Sequence, residues 1–494
     1  MKIYISDREI QPLGVLRWPN SLVRQSNGPG KSLLTESNQS LQKTAGWVHL
    51  WAMGVGGVIS GNYFGWQTGL IAGGFGGLFL ATLVIAAMYV CLVFSIAELS
   101  AAMPLAGGFY NFTRAAFGTD RAFLNGLTDA IEYVTTPAVI VAGIAGYMRA
   151  LAPITPEWVW WVAFYCIFVF INVKGAALSF RVSMGITVLA AAVLVFFYGS
   201  ALATGAFRWS LSLNITPEPG GTAFLPRGWH GVFAALPYAV WFYLAIEQLP
   251  LSAEESYDAE RDMPKALKWG ILSLLALSLC TLVLNSGVGP GAAGVGASNS
   301  PLETGFRAVF RSGATSALLS LISLTGLIAS FHSIIYAYGR LLYALSRSGY
   351  LPAFLGHVGR WRTPDTSLIF GGALGLGLCF LAAHYSGSVG AALLNMAVFG
   401  ALLSYILVLA SFLRLRLDRP NMRRPYRSPL GIWGAIAGIV LGLTCLAATF
   451  AVPAFRPGVF GTAVFIAVML CYYWLYRRPR MENYENQTSA LAPE

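Results

Sequence analysis

Three ionisable side chains lie inside long apolar stretches of the sequence, where they could carry a proton or hold a cation. They are Glu132, Glu247 and His332. A charged side chain near the centre of a bilayer costs about 2.5–3.5 kcal/mol on insertion scales, so it normally faces a partner or a water-filled cavity. We therefore expect these three residues to be proton-coupling candidates. A hydrogen-bonded structural role is the alternative for Glu132 and His332, and Asp129, one turn before Glu132, is expected to be solvated near the inner interface.

The first apolar stretch contains a run that is a poor continuous helix. Ser60 and Asn62 stand there among four glycines, which are Gly54, Gly56, Gly57 and Gly61. Inside a bilayer, irregular backbone is tolerated only where its N–H and C=O groups line a cavity or find other partners. We expect a helix break from Ile59 to Asn62, with a binding site at that break. The alternative is a glycine face used for close packing between helices.

A second interruption is expected in the sixth apolar stretch. Pro237 and Pro250 flank Glu247 there, and proline removes a helix hydrogen bond and kinks the chain. We expect the irregular part from Tyr243 to Ile246, facing the first break near the middle of the membrane. Interrupted helices at corresponding positions of two halves indicate an inverted repeat with the binding site between them. The candidate substrate-binding residues are Ile59, Ser60, Gly61, Asn62, Tyr63, Trp241, Phe242, Tyr243, Ala245 and Glu247.

These residues suit a small substrate that carries a primary ammonium group. An ionised Glu247 and the faces of the aromatic rings could hold the ammonium. A substrate carboxylate would suit the backbone N–H groups of Ser60 to Asn62 at the start of a half-helix. A substrate hydroxyl would instead suit the Ser60 and Asn62 side chains, which supply a donor and an acceptor. The residue types leave both an amino alcohol and an amino acid open.

Composition places these residues in a membrane protein. The chain of 494 residues is 56% hydrophobic and 11% charged, with a mean hydropathy of +0.63, whereas soluble domains have roughly 25% charged residues. The net charge of +11 does not indicate nucleic acid, because the basic residues are spread over the loops between apolar stretches. Most of the 32 Lys and Arg fall in loops predicted to be cytoplasmic, as the positive-inside rule requires.

Twelve apolar stretches are long enough to cross about 30 Å of hydrocarbon. We predict spans at 46–71, 74–97, 122–151, 157–173, 182–204, 230–253, 266–289, 314–345, 366–385, 388–413, 430–451 and 458–476. The expected fold is an all-α integral protein of the inner (plasma) membrane with both termini in the cytoplasm. Its predicted parts are a disordered tail at 1–43, a transport core at 44–413 built from five-span inverted repeats at 44–204 and 230–413, two additional helices at 430–476 and a second tail at 477–494.

Charged residues cluster after the sixth span. Glu254 and Glu255 end the span, and Arg261 and Asp262 follow them. We predict an ion-pair set that closes the inner side of the protein, and the alternative is a solvated helix end. The six cysteines are scattered singly through apolar runs and no histidine is spaced as a metal partner, so neither a metal nor a cofactor is expected.

Three motifs resemble the amino acid–polyamine–organocation (APC) superfamily of transporters. The run Gly56-Gly-Val-Ile-Ser-Gly-Asn-Tyr-Phe64 is similar to its first-span pattern Gly-Gly-Val-Ile-Gly-Ala-Gly-x-Phe. Pro104-Leu-Ala-Gly-Gly-Phe-Tyr110 is similar to its Pro-x-Ala-Gly-Gly-x-Tyr run after the second span. The span-six pattern Phe-Ser-Gly-Phe-Glu, followed seven residues later by Glu-Glu, falls on Tyr243-Leu-Ala-Ile-Glu247 and Glu254-Glu255, with Ala245 in place of the glycine.

Three blocks resemble the ethanolamine permease branch of this superfamily. They are Val58-Ile-Ser-Gly-Asn-Tyr-Phe-Gly-Trp66, Ala245-Ile-Glu-Gln-Leu-Pro-Leu-Ser-Ala-Glu-Glu255 and Leu327-Ile-Ala-Ser-Phe-His-Ser-Ile-Ile-Tyr-Ala-Tyr-Gly-Arg340. The resemblance implies a secondary active transporter, not an enzyme, that imports a small amine by proton symport with alternating access, and ethanolamine is the expected substrate. The alternative is a neutral or cationic amino acid permease or exchanger of the same superfamily. The implied partners are that substrate, protons and the lipid bilayer.

Overall fold

The computed structural model describes residues 41–105, 107–310, 316–386 and 389–479, and this part of the chain is helical without a strand. Ten of its helices are long and apolar enough to cross a membrane. The other two predicted spans are a 17-residue apolar helix, Glu157–Val173, and the interrupted first span. The prediction of an all-α multi-pass membrane protein is confirmed. Of the two predicted tails, residues 1–40 and 480–494 lie outside the described residues.

The helices are numbered here in chain order. The first half of the chain contains α1 Trp47–Ile59, α2 Thr68–Ala102, α3 Phe109–Phe117, α4 Thr119–Leu151, α5 Glu157–Val173, α6 Ala176–Ala203 and α7 Trp209–Ser212. The second half contains α8 Gly228–Ala239, α9 Ala259–Ser286, α10 Gly291–Gly296, α11 Pro301–Phe310, α12 Ser316–Arg347, α13 Asp365–Ser386, α14 Val389–Asp418, α15 Gly431–Ala451 and α16 Arg456–Tyr472. Long apolar runs form helices in lipid because a helix satisfies its own backbone hydrogen bonds.

The predicted break in the first span is confirmed, although it begins later and is longer than expected. Ile59 is the last residue of α1, a 3-10 turn covers Ser60–Asn62, and irregular backbone continues to Gln67. α2 then contains the last part of the first span and the whole second span, joined by a bend at Gly74. The Gly74 backbone has φ 74° and ψ 177°, a conformation that glycine adopts without steric cost.

The predicted break in the sixth span is also confirmed. α8 ends at Ala239, and 3-10 turns at Val240–Phe242 and Ile246–Glu255 flank the irregular residues between them. Ala245 lies in that irregular part with φ 83°. This left-handed backbone costs a residue with a side chain roughly 1–2 kcal/mol. The strain falls at the position where the superfamily pattern has glycine.

The helices of the two halves pack in reciprocal pairs, as an internal repeat requires. α1 packs against α9 while α2 packs against α8, and α4 packs against α14 while α12 packs against α6. When the first and second spans are replaced by the sixth and seventh, the pair α1–α9 becomes the pair α8–α2. When the third and fifth spans are replaced by the eighth and tenth, the pair α4–α14 becomes the pair α12–α6. Because each repeat has an odd number of spans, the second repeat runs in the opposite direction through the membrane. α4 and α12, the third spans of the two repeats, pack directly against each other.

Replacing Ala245 with glycine should relieve the left-handed strain. We expect Ala245→Gly to raise the unfolding temperature, because about 1–2 kcal/mol of strain outweighs the roughly 0.5–1 kcal/mol entropic cost of a glycine. Ala253→Gly is the matched control: Ala253 lies in the 3-10 segment that follows Ala245 and is not among the positive-φ residues, so this change should lower stability. Thermal unfolding of the purified proteins in detergent measures both, and an Ala245→Gly protein that is no more stable than Ala253→Gly would contradict the strain.

Candidate substrate and proton site

The glycines of the first break let α1 cross the sixth span at very short range. A Cβ atom placed on Gly57 would lie 2.0 Å from Gln248 Nε2, and one placed on Gly61 would lie 2.1 Å from the carbonyl oxygen of Trp241. Neither distance leaves room for a side chain. The broken helix and the close helix packing, which the sequence offered as alternatives, are therefore both present. The two breaks lie against each other.

A serine on α12 satisfies backbone groups that are freed at the end of α1. Ser330 Oγ donates a hydrogen bond to Gly56 O at 2.7 Å and accepts one from the N–H of Ser60 at 3.0 Å. Since an unpaired backbone group in hydrocarbon is costly, Ser330 stabilises the break. The Ser60 N–H, expected from the sequence to be a carboxylate donor, is already used by this contact.

All predicted substrate-binding residues, from Ile59 to Tyr63 and from Trp241 to Glu247, are buried. Asn62 Oδ1 accepts a hydrogen bond from Thr281 Oγ1 at 3.0 Å, and Tyr63 donates its hydroxyl to a backbone oxygen of α6 at 2.8 Å. The Asn62 amide nitrogen and the Trp241 indole nitrogen have no hydrogen-bond partner among the described residues. These two buried donors are available to a substrate oxygen, whereas the Tyr63 hydroxyl helps to hold the break in place.

Glu132 on α4 and Glu247 on the sixth span form a pair of buried carboxyl groups. The two lie close enough to interact with each other and with the hydroxyl of Tyr405 on α14, and Tyr133 donates to Glu247 Oε1 at 3.4 Å. Both oxygens of Glu132, and Oε2 of Glu247, lack a hydrogen bond of regular geometry in the described part of the chain. Buried acceptors without donors can bind a proton or an ammonium group.

Asp129 is a third buried carboxyl in the same region. It is 2% exposed and is hydrogen-bonded to Ser404 of α14. The expectation that Asp129 is solvated near the interface is therefore wrong, because the face of α4 that carries Asp129 and Glu132 packs against α14. Within the described residues, Asp129, Glu132 and Glu247 pair with no lysine, arginine or histidine. Three adjacent buried carboxyls cannot all be ionised without bound cations.

His332 lies apart from this carboxyl group and faces α5 and α6. Its Nε2–H donates to Ser179 O at 2.9 Å, and its Nδ1 accepts from Asn172 Nδ2 at 3.2 Å. The ring also packs against Phe168, with centroids 5.6 Å apart. A ring with one donating and one accepting nitrogen is a neutral imidazole, and here both nitrogens have a hydrogen-bond partner. This geometry supports the structural alternative for His332 more than the proton-carrying one.

The end of the sixth span is held by a buried ion pair. Glu255 pairs with Arg340 of α12 at 2.9 Å, and neither side chain is exposed. Tyr336 donates its hydroxyl to Glu255, and the Arg340 guanidinium lies 3.5 Å from the centre of the Tyr336 ring. The Glu255 carbonyl oxygen accepts the backbone N–H groups of Thr44 and Ala45, at 2.8 and 3.0 Å. One residue thus joins the start of α1, the end of the sixth span and α12.

The other members of the predicted gate pair differently from the expectation. Glu254 contacts Arg347 of α12 at 3.3 Å, whereas Arg261 pairs with Asp258 at the surface and Asp262 accepts from a serine hydroxyl. The inner gate stays a prediction, and in the structure the basic partners of Glu254 and Glu255 come from α12. The sequence could have indicated a paired role for Arg340, because it is an arginine that follows an apolar run, where charged residues normally face a partner.

Comparison with known proteins finds permeases. A family model described as amino acid permease matches residues 49–478. An uncharacterized transporter of Rhizobium meliloti is 27% identical over 450 residues, which cover 88% of this chain and 90% of the relative. L-asparagine permease 1 of Mycobacterium bovis is 23% identical, covering 76% of this chain and 78% of the relative. The branched-chain amino acid permease BcaP of Bacillus subtilis is 22% identical, covering 80% and 85%.

Removing Arg340 should be much more damaging than removing a surface arginine. Arg340→Gln leaves the buried Glu255 unpaired, which should cost about 3–5 kcal/mol of stability. The matched control is Arg423→Gln, because Arg423 is 80% exposed in its ion pair with Glu260, and such pairs contribute about 0–1 kcal/mol. Unfolding in detergent measures both variants. We also expect Arg340→Gln/Glu255→Gln to be more stable than Arg340→Gln alone, and equal losses for Arg340→Gln and Arg423→Gln would contradict a structural ion pair.

Proposed function

Because the chain belongs to the amino acid permease family, we propose that it is a proton-coupled secondary transporter that imports a small primary amine, with ethanolamine as the first candidate. The family consists of permeases rather than enzymes. The superfamily resemblance recognised in the sequence is confirmed at this level. The ethanolamine branch, the import direction and the coupling to protons are our proposals.

The observation that carries the proposal is the group of buried carboxyls beside the two helix breaks. Glu132, Glu247 and Asp129 lie together without a basic partner in the described residues. A buried carboxyl is stable when it is protonated or paired with a cation. An ammonium substrate and a proton are two such cations. With the ammonium at Glu247 and the proton at the neighbouring carboxyls, this group would couple their movement across the membrane.

An amino alcohol suits this charge balance better than a zwitterion does. A substrate carboxylate adds a further negative charge, and the Ser60 N–H that could receive it is bonded to Ser330. Two buried donors at the breaks that lack a partner in the described residues, the Asn62 amide and the Trp241 indole, are neutral groups. A neutral N–H donor suits the oxygen of a hydroxyl.

An amino acid is the second candidate, and the relatives favour it. The mycobacterial relative is named an L-asparagine permease and the Bacillus relative a branched-chain amino acid permease. An amino acid would present the same ammonium group to Glu247. Its carboxylate would then depend on the Asn62 and Trp241 donors and on backbone N–H groups beyond Ser60.

The contacts around Glu255 suggest how access to the site alternates. They join α1, the sixth span and α12 at the end that we propose faces the cytoplasm, with both termini on that side of the plasma membrane. A substrate can leave toward that side only when these segments separate. The ion pair with Arg340 would then break and reform in each transport cycle.

Substrate identity can be tested by uptake into proteoliposomes that contain the purified protein. With an imposed pH gradient, acid outside, we expect saturable uptake of labelled ethanolamine and competition by other small amino alcohols. L-asparagine and branched-chain and aromatic amino acids are the competitor panel, and liposomes without protein are the control. If no amino alcohol competes and a neutral amino acid does, the substrate is the amino acid and the ethanolamine assignment is lost.

The two glutamates should have separable roles in transport. Glu247→Gln removes a charge-assisted contact to the ammonium worth about 1.5–3 kcal/mol, so KM should rise roughly 10-fold or more. Glu132→Gln should leave exchange of substrate across the membrane intact and abolish accumulation driven by a pH gradient. His332→Gln is the comparison, and we expect it to retain accumulation. Accumulation by Glu132→Gln together with its loss in His332→Gln would assign the proton to His332 instead.

A further inference from the structure

A line of buried polar side chains continues from Glu132 toward the end of α4 that begins at Thr119. Asp129 contacts Ser404 Oγ, and Ser404 Oγ lies 2.6 Å from Asn125 Oδ1. Asn125 Nδ2 in turn donates to Thr113 Oγ1 of α3 at 2.5 Å. Asn125, Ser404 and Thr113 are fully buried. At 1.5 Å per residue, the line from Glu132 to Asn125 spans about 10 Å along the helix axis, directed to the side predicted to be the cytoplasm.

The contacts around Ser404 require one more hydrogen than the serine hydroxyl supplies. The Ser404 hydroxyl has a single hydrogen but is within hydrogen-bond distance of two oxygens, Asn125 Oδ1 and Asp129 Oδ1. Asn125 cannot supply a hydrogen there, because its amide nitrogen is directed to Thr113. Both contacts are satisfied when Ser404 donates to Asn125 and a protonated Asp129 donates to Ser404. Asp129 is thus arranged to hold a proton and to release it through Ser404.

Asp129 also interacts electrostatically with Glu247 of the proposed substrate site. The titratable groups that face it are Glu132 and Tyr133 on its own helix and Glu247 on the sixth span, with Tyr405 next to Ser404 on α14. The arginines of α12, which also packs against α4, are engaged elsewhere: Arg340 pairs with Glu255 and Arg347 with Glu254. A proton that arrives at Glu132 therefore meets another carboxyl one turn away on the same helix face.

We propose that Asp129, together with Ser404, is the inner relay for the transported proton, a role that rests on the proton coupling proposed above. Asp129 first loses its proton toward the inner side: Ser404 Oγ receives that proton as the Ser404 O–H bond breaks, and a water molecule that enters from the inner side accepts the hydrogen released by Ser404. The proton on a Glu132 carboxyl oxygen then moves to the Asp129 carboxylate, so that one O–H bond breaks as another forms. Glu132 becomes ionised and can accept the next proton from the side of Glu247. The protein keeps its net charge over this cycle.

The Asp129→Asn variant distinguishes a proton-relay role of Asp129 from a purely structural role of its carboxyl group. The asparagine amide can donate to Ser404 as the protonated acid does, but it cannot release a proton. In proteoliposomes we expect Asp129→Asn to exchange substrate across the membrane like the unaltered protein, and to lose both pH-gradient-driven accumulation and the substrate-induced acidification reported by a pH dye in the lumen. Asp129→Glu restores a titratable carboxyl and should recover part of both signals.

Two more variants complete the test. Ser404→Ala removes the hydroxyl that links Asp129 to Asn125, so accumulation should slow while exchange remains. Thr135→Val is the matched control: it removes a buried hydroxyl of α4 that is bonded to the backbone oxygen of Ile131, and it should leave accumulation intact. Normal accumulation and acidification by Asp129→Asn would overturn the relay and leave proton coupling standing. An unaltered protein that exchanges substrate but never acidifies the lumen would overturn the proton coupling itself and the relay with it.

Discussion

The structure depends on a constraint of the bilayer: every backbone N–H and C=O group that leaves a helix inside it must find another partner. The first span breaks at Ser60, and Ser330 of α12 supplies both a donor and an acceptor to the groups released there. One turn before Gly56, Thr187 of α6 donates to the carbonyl oxygen of Ala52 at 3.0 Å. The first span is therefore held by α6, the fifth span of the first repeat, and by α12, the third span of the second repeat.

The same logic divides the buried acidic residues into two kinds. The Glu255 carboxylate is paired with Arg340 and hydrogen-bonded by Tyr336, so its charge is compensated and its role is to hold segments together. Glu132 and Glu247 retain oxygens without partners in the described residues. An unsatisfied buried acceptor is costly, and a transporter can recover that cost each time a cation binds. We interpret the paired acid as a gate and the unpaired acids as the site.

Much of the fold was predictable because its signals are local in sequence. Apolar runs of sufficient length gave the spans, and the glycines near Ser60 and the prolines around Glu247 located the two breaks. The reason is physical: hydrocarbon enforces helices along each run, and a residue that disfavours a helix acts within a turn of its own position. The difference at the first break, where irregular backbone continues to Gln67, reflects packing against the sixth span, which no local pattern contains.

The sequence by itself determined the membrane class, the positions of the breaks and the presence of carboxyls at membrane depth. It did not determine which of those carboxyls are paired. Arg340 lies 85 residues from Glu255, and Ser404 lies 275 residues from Asp129. Such contacts arise only when α12 and α14 pack against α4 and the sixth span. Tertiary structure alone therefore decided that Glu255 is neutralised, that Asp129 is buried and that His332 is turned away from Glu247, because the energy of a buried charge depends on the groups around it rather than on its neighbours along the chain.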